Sequence, residues 1–208
     1  GVSKYQLLVV HLIPEILNFI NFLLLKNILL MKAIIQRVSA AKVTVGDELI
    51  SSIGRGLCVL VGITHSDTEK DVEYISRKLL ALRLFEDTAG KRWQKSVKDE
   101  QLEILCVSQF TLYHRLKGNK PDFHLAMQGD AAQMLYNSFL KRLGKDYDGA
   151  KVKDGKFGAY MQVHIQNDGP VTVELESPVE DSKVIKDSQT KVNNCNEVKE
   201  PESTDTDK

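Results

Sequence analysis

The apolar positions of this chain change period along its length, and each change marks a different kind of element. Ala33-Ile34-Ile35-Gln36-Arg37-Val38 and Val43-Thr44-Val45 read as two short strands. Leu57-Cys58-Val59-Leu60-Val61-Gly62-Ile63 is apolar without a break, as expected of a strand covered on both faces. Ser66 or Asp67 then caps a helix on which Val72, Ile75, Leu79 and Leu82 recur at helical spacing. Leu84-Phe85 begins an extended piece that turns at Asp87-Thr88-Ala89-Gly90 and continues through Trp93. Leu102 to Val107 is a second buried strand, running into Ser108-Gln109-Phe110-Thr111 and then a polar loop from His114 to Asp122. A second helix is expected from about Gly129 to Leu143, with Ala132, Leu135, Phe139 and Leu143 on one stripe. The pattern closes in strict alternation. Met161, Val163 and Ile165 precede Asn167-Asp168-Gly169-Pro170, and Val171, Val173 and Leu175 follow it, which predicts a hairpin with the Asn-Asp-Gly-Pro segment as its turn. Many strands with two amphipathic helices predict an α+β layered domain, two β layers with helices on one side.

Both flanks break this pattern. Residues 1–30 are rich in Leu, Ile, Val and Asn and contain no Arg. Pro14-Glu15, Asn18, Asn21 and Lys26-Asn27 interrupt the apolar run, so it lacks the roughly twenty clean residues of a membrane span. It also lacks the basic start and small-residue cleavage site of a signal peptide. Met31 opens a segment that reads as a start, so residues 1–30 are expected to be an upstream apolar extension outside the working fold; a membrane or organelle anchor is the alternative. Residues 31–176 form the expected domain. Residues 177–208 carry almost no large apolar side chain and are expected to be a disordered polar tail. With eight acidic and five basic residues, the tail has a net charge of −3 and is a poor phosphate binder.

The whole chain of 208 residues has a net charge of zero, so any nucleic-acid binding must come from a local basic patch. Its three cysteines, Cys58, Cys106 and Cys195, form no CxxC pair and fit a reducing, cytoplasmic setting. Cys58 and Cys106 sit in apolar runs as small buried hydrophobes. None of the five histidines stands at metal-ligand spacing, and His124 and His164 read as structural or solvent-facing. There is no GxSxG, P-loop or GxGxxG motif and no evident strong general base. On spacing alone, Ser108-Gln109-Phe110-Thr111 is a polar strand end and Asn167-Asp168-Gly169-Pro170 a turn.

Five segments in order carry a further reading. Met31-Lys32-Ala33-Ile34-Ile35-Gln36-Arg37-Val38, Ser108-Gln109-Phe110-Thr111-Leu112, Lys117-Gly118-Asn119-Lys120-Pro121-Asp122-Phe123, Lys156-Phe157-Gly158-Ala159-Tyr160-Met161 and Asn167-Asp168-Gly169-Pro170-Val171-Thr172 together resemble the D-aminoacyl-tRNA deacylase family, its animal members most closely. The resemblance implies a homodimer of two packed, barrel-like, antiparallel-rich sheets with two helices, needing no metal or cofactor. It implies hydrolysis of the ester between a D-amino acid and the terminal adenosine of tRNA, and action on glycine mischarged on tRNA-Ala. Ser108, Gln109, Phe110 and Thr111 would hold the aminoacyl-adenosine end, with backbone N–H groups around Phe110 and Thr111 as oxyanion donors. Phe157, Gly158, Ala159 and Met161 would line the pocket. A cis Gly169-Pro170 peptide would reach across to the other subunit and exclude L-amino acids by a clash. Arg37, Asn167 and Thr172 would support that motif, and Lys117, Lys120 and Lys156 would contact tRNA phosphates. Two rivals remain. One is the related editor of L-alanine on a threonine tRNA, whose motif differs at the serine and phenylalanine. The other is a DNA-binding factor, against which the acidic tail argues.

Overall fold

The computed structural model describes residues 30–178, and expectations for the flanks beyond them lie outside the described residues. Ser177, expected in the tail, belongs to the domain: it is buried, and it exchanges hydrogen bonds with Met31.

One six-stranded mixed sheet forms the frame. β1 (Lys32–Val45) pairs antiparallel along its length with β10 (Gln162–Glu176). Its first half also pairs with β3 (Gly56–Gly62), and its second half with β2 (Glu48–Ile53). β6 (Glu103–Ser108) joins β3 in parallel, and β9 (Val152–Asp154) joins β6 in parallel. The two β layers are thus regions of one sheet, because the two short strands expected at 33–45 are a single strand that changes partners midway. β4 (Arg83–Phe85) with β5 (Lys95–Ser96), and β7 (Arg115–Lys117) with β8 (Lys120–Asp122), form two small ribbons. The second of these stands where a polar loop was expected.

The helices follow the apolar stripes. α1 (Glu69–Ala81) buries Val72, Ile75 and Leu79, while α2 (Gly129–Asp146) buries Ala132, Tyr136, Phe139 and Leu143. The cap of α1 is Thr68, not Ser66 or Asp67. Asp67 is already engaged, its carboxylate accepting the Thr64 N–H at 2.7 Å, whereas Asp71 accepts the Thr68 N–H and hydroxyl, both at 2.9 Å.

Two cores lie on opposite faces of the central strands, which explains their unbroken apolar runs. Leu57, Val59, Val61, Ile104 and Cys106 join the helices in one core; Cys58, Leu105 and Val107 join Val38, Ala41, Val43 and Ile53 in the other. β1 contributes Ala33 and Ile35 to the first core and Ala41 and Val43 to the second. The switch occurs at Ser39, one extra residue between Val38, opposite Asn167, and Ala40, opposite Gln166.

The expected hairpin at 161–176 is instead one continuous strand. Arg37 lies opposite Val171 and Val38 opposite Asn167, so Asp168, Gly169 and Pro170 bulge from the ladder while the chain keeps its direction. Three extra residues are an odd number, and they turn β10 over. Met161, Val163 and Ile165 therefore pack on the second core, and Val171, Val173 and Leu175 on the first. Gly169 takes a φ of 85°, which favours glycine. The Gly169–Pro170 peptide is trans, in place of the cis bond the resemblance implies. Trans is the isomer an X–Pro bond prefers by about 0.5–1 kcal/mol.

Candidate active site

Where β6 ends, its last ladder bond positions a turn. The Gln109 N–H donates to Val61 O at 2.7 Å, and the chain then coils into a single helical turn, Phe110–Leu112. The Leu112 and Tyr113 N–H groups bond back to Gln109 and Phe110, and the Gln109 side-chain amide donates to Thr111 Oγ1 at 2.5 Å. The N–H groups of Phe110 and Thr111 open the turn, where no carbonyl within it lies ahead of them to accept. Beneath the turn, Gly62 allows close approach: a Cβ there would lie 3.0 Å from Leu112 and from the Tyr113 ring. Tyr113 is buried, and its hydroxyl reaches the Leu30 carbonyl.

The turn borders a cavity of about 330 Å³. Ser108, Gln109 and Phe110 form one side, and Phe157 with Gly158 forms another. Val61, Ile63, Met127 and Ala132 supply apolar surface. Gln128 and Gly129 also line it, so the N-terminus of α2, with its partial positive charge, opens on the cavity. None of the lining residues is ionisable. Phe110 is exposed, and its ring meets Phe123 edge-on at 5.2 Å. Phe123 lies between Asp122 and His124. Lys117 and the His124 ring and N–H bond Asp122, holding its carboxyl below the usual carboxylate range.

The structure therefore brings Ser108, Gln109, Phe110, Phe157 and Gly158 to one cavity, with Thr111 bonded to Gln109 beside it. Ala159 and Met161 are not among the lining residues. Ala159 bonds back to Lys156, and Met161 packs on the second core, with its sulfur accepting the Lys156 N–H at 3.2 Å. Val61, Ile63, Met127 and Ala132 were not singled out as site residues, because strand and stripe apolar residues resemble core. A signal was present only at Gln128-Gly129, where the helix begins. Lys117, Lys120 and Lys156 are exposed, Lys117 being paired with Asp122. Among the described residues no group of three or more His, Cys, Asp and Glu side chains is placed to hold a metal. No described helix is long and apolar enough to cross a membrane.

The Asp168–Pro170 bulge stands elsewhere. Arg37 Nε donates to the Asp168 carbonyl at 3.3 Å and pairs with its carboxylate at 3.2 Å, while Nη1 donates to Leu84 O at 2.6 Å. Gln36 reaches Thr172 Oγ1 at 3.5 Å, and Asn167 remains in the ladder opposite Val38. Arg37 lies opposite Leu57, four residues along β3 from Val61. The bulge is thus removed from its own chain's cavity by roughly 13 Å along the strands and about 10 Å across them.

The family model for D-Tyr-tRNA(Tyr) deacylase matches residues 34–176. The D-aminoacyl-tRNA deacylase of Drosophila melanogaster is 77% identical over 148 residues, covering 71% of this chain and 93% of that one. D-aminoacyl-tRNA deacylase 1 of Homo sapiens is 67% identical over 148 residues, 71% of each chain. The solved structure of a c-Myc DNA Unwinding Element Binding Protein superposes with a TM-score of 0.69 at 66% identity, covering 71% of this chain and 99% of that one. A probable eukaryotic D-amino acid tRNA deacylase shares the fold at a TM-score of 0.63 and 17% identity, over 71% of this chain and 100% of that one. An α+β sheet with an uncharged cavity at a strand-end turn, joined to these likenesses, defines a hydrolase of aminoacyl-tRNA esters. The chain belongs to the D-aminoacyl-tRNA deacylase family.

Proposed function

We propose that this protein hydrolyses the ester of D-aminoacyl-tRNA, releasing D-amino acid and tRNA, as a chiral proofreader of translation in the cytoplasm. The observation that carries the reading is the Ser108–Thr111 turn at the mouth of an uncharged cavity, in a chain of this family. An aminoacyl ester is an activated bond, and the neighbouring ribose hydroxyl of the substrate can position or activate water. The protein then contributes placement and oxyanion stabilisation, for which the N–H groups of Phe110 and Thr111 are the donors.

Chiral selection is assigned to Gly169 and Pro170 of a second copy. The exposure of the bulge and its distance from its own cavity support this reading, which requires a homodimer in which each chain completes the other's site. Backbone carbonyls placed against the substrate's α-carbon exclude an L side chain by a clash and leave a D side chain free. Glycine escapes that clash, so glycine on tRNA-Ala is a substrate too. Lys117, Lys120 and Lys156 hold phosphates of the acceptor end, making binding salt-sensitive.

The test is hydrolysis of D-Tyr-tRNA and L-Tyr-tRNA by the full chain, with fast release from the first alone. Equal rates would end the chirality argument, and an unaltered D/L ratio in Pro170→Ala would remove the bulge from selection. The likeness to a c-Myc DNA Unwinding Element Binding Protein favours a second reading, DNA binding. Tight binding of duplex DNA at physiological salt, lost when residues 179–208 are removed, would favour it over the first.

A further inference from the structure

The cavity has a wall whose position depends on residues outside it. Phe157 and Gly158 ride on the loop that leaves the sheet after β9, an edge strand only three residues long. The last bond to the sheet is the Gly155 N–H to Cys106 O, at 3.0 Å. One side chain holds the chain on either side of that bond, at the end of β9 and on the loop. Tyr136, 1% exposed, donates its hydroxyl to Asp154 Oδ1 at 2.6 Å, and its ring tilts against Phe157 with centroids 5.7 Å apart. Ala132, one turn earlier on α2, lines the same cavity. Ser51 Oγ holds the Asp154 carbonyl at 2.6 Å. Burial raises both the Tyr136 phenol and the Asp154 carboxyl above their ordinary ranges, so their bond lies where water competes little.

We infer that Tyr136 and Asp154 are positioning residues that set the distance between α2 and the Phe157–Gly158 wall, and through it the grip on the bound ester. The inference rests on the deacylase reading for its substrate. Neither residue is among those lining the cavity. A wall that contacts the substrate equally in the ground and transition states acts on KM and leaves kcat alone.

The experiment compares Tyr136→Phe, Asp154→Ala and Asp154→Asn in the full chain, with D-Tyr-tRNA as substrate. The expected result is a KM raised about tenfold by the first two, as for one lost hydrogen bond to a charged acceptor, with kcat within about threefold. Asp154→Asn keeps an acceptor oxygen and restores most of the affinity. Amide hydrogen exchange across 155–160 rises in the same two variants and stays near wild type in the third. A purely structural role would lower Tm and kcat together and treat Asn like Ala, which overturns the inference, as does unchanged KM and exchange in Tyr136→Phe. Should that variant fail to fold, Asp154→Ala against Asp154→Asn makes the same decision. A wild type inactive on D-Tyr-tRNA sinks the deacylase reading instead, while the exchange comparison still judges the pair.

Discussion

The turn at 108–112 and the bulge at 168–170 are built in opposite ways. The turn is closed by its own chain: Val61, Gln109 and Phe110 carbonyls accept its N–H groups, Gln109 bonds the Thr111 hydroxyl, and Tyr113 is buried below. The bulge leaves the ladder, exposes Gly169 and Pro170, and is tied down by Arg37. A feature that serves its own cavity is held from many sides; one offered outward is held at its base. Each substitution below breaks one of these arrangements and spares the other.

The largest effect is expected from Gly62→Val. The new side chain meets Leu112 and Tyr113, costing about 1–3 kcal/mol by overpacking. Displacing the turn by an ångström lowers kcat/KM on D-Tyr-tRNA roughly 100-fold. An undiminished rate would mean that β3 does not set the turn's position. Next, Arg37→Met removes the anchor of the bulge and leaves the Leu84 and Asp168 carbonyls without it, destabilising by about 1–3 kcal/mol. The D/L rate ratio is expected to fall about tenfold, since one mis-set contact is worth about 1.4 kcal/mol, with hydrolysis of the D substrate less affected. A preserved ratio would detach the bulge from selection.

Thr111→Val distinguishes two roles for one hydroxyl. Loss of a binding hydrogen bond slows hydrolysis by roughly 2- to 10-fold, the expected outcome. A loss of about 1,000-fold would instead make Thr111 a nucleophile. The smallest effect on either region is expected from Asp67→Asn, which reads stability. Burial is the main cause that lifts the Asp67 carboxyl from 3.8 to about 7, against the Thr64 N–H bond. Between those values the folded state holds a proton that the unfolded state has lost, so wild-type stability falls as pH rises through the window. Thermal melts should show a shallower slope in the variant than in the wild type, the buried Asp154 carboxyl keeping its share, with identical slopes overturning the assignment.

Elements whose pattern matched their burial were legible in the sequence. β3 and the 104–107 stretch of β6 are covered on both faces and apolar, and both helices bury most of the expected stripes, with Tyr136 buried where Leu135 was expected and Leu82 just past the end of α1. The hairpin was misread for a specific reason. Met161, Val163 and Ile165 are in numerical phase with Val171, Val173 and Leu175, and alternation cannot reveal that the two sets enter different cores. The site was legible where motif residues turn toward the cavity, at Ser108 to Phe110 and at Phe157-Gly158. It was hidden at Val61, Ile63 and Ala132, buried apolar residues that also line the cavity, so their pattern reads as core. Arg37 and the bulge were linked by resemblance, whereas the register shows how they meet.

The odd count of residues in the bulge constrains what can happen to it. Deleting one of Asp168, Gly169 and Pro170 would rotate one half of β10 by half a turn and point either Met161–Ile165 or Val171–Leu175 at water. Removing two would preserve the phase. The length of this segment is therefore admissible only in steps of two, whatever chemistry its residues perform. A loop that looks free to vary is held to an odd number by the two cores on either side of it.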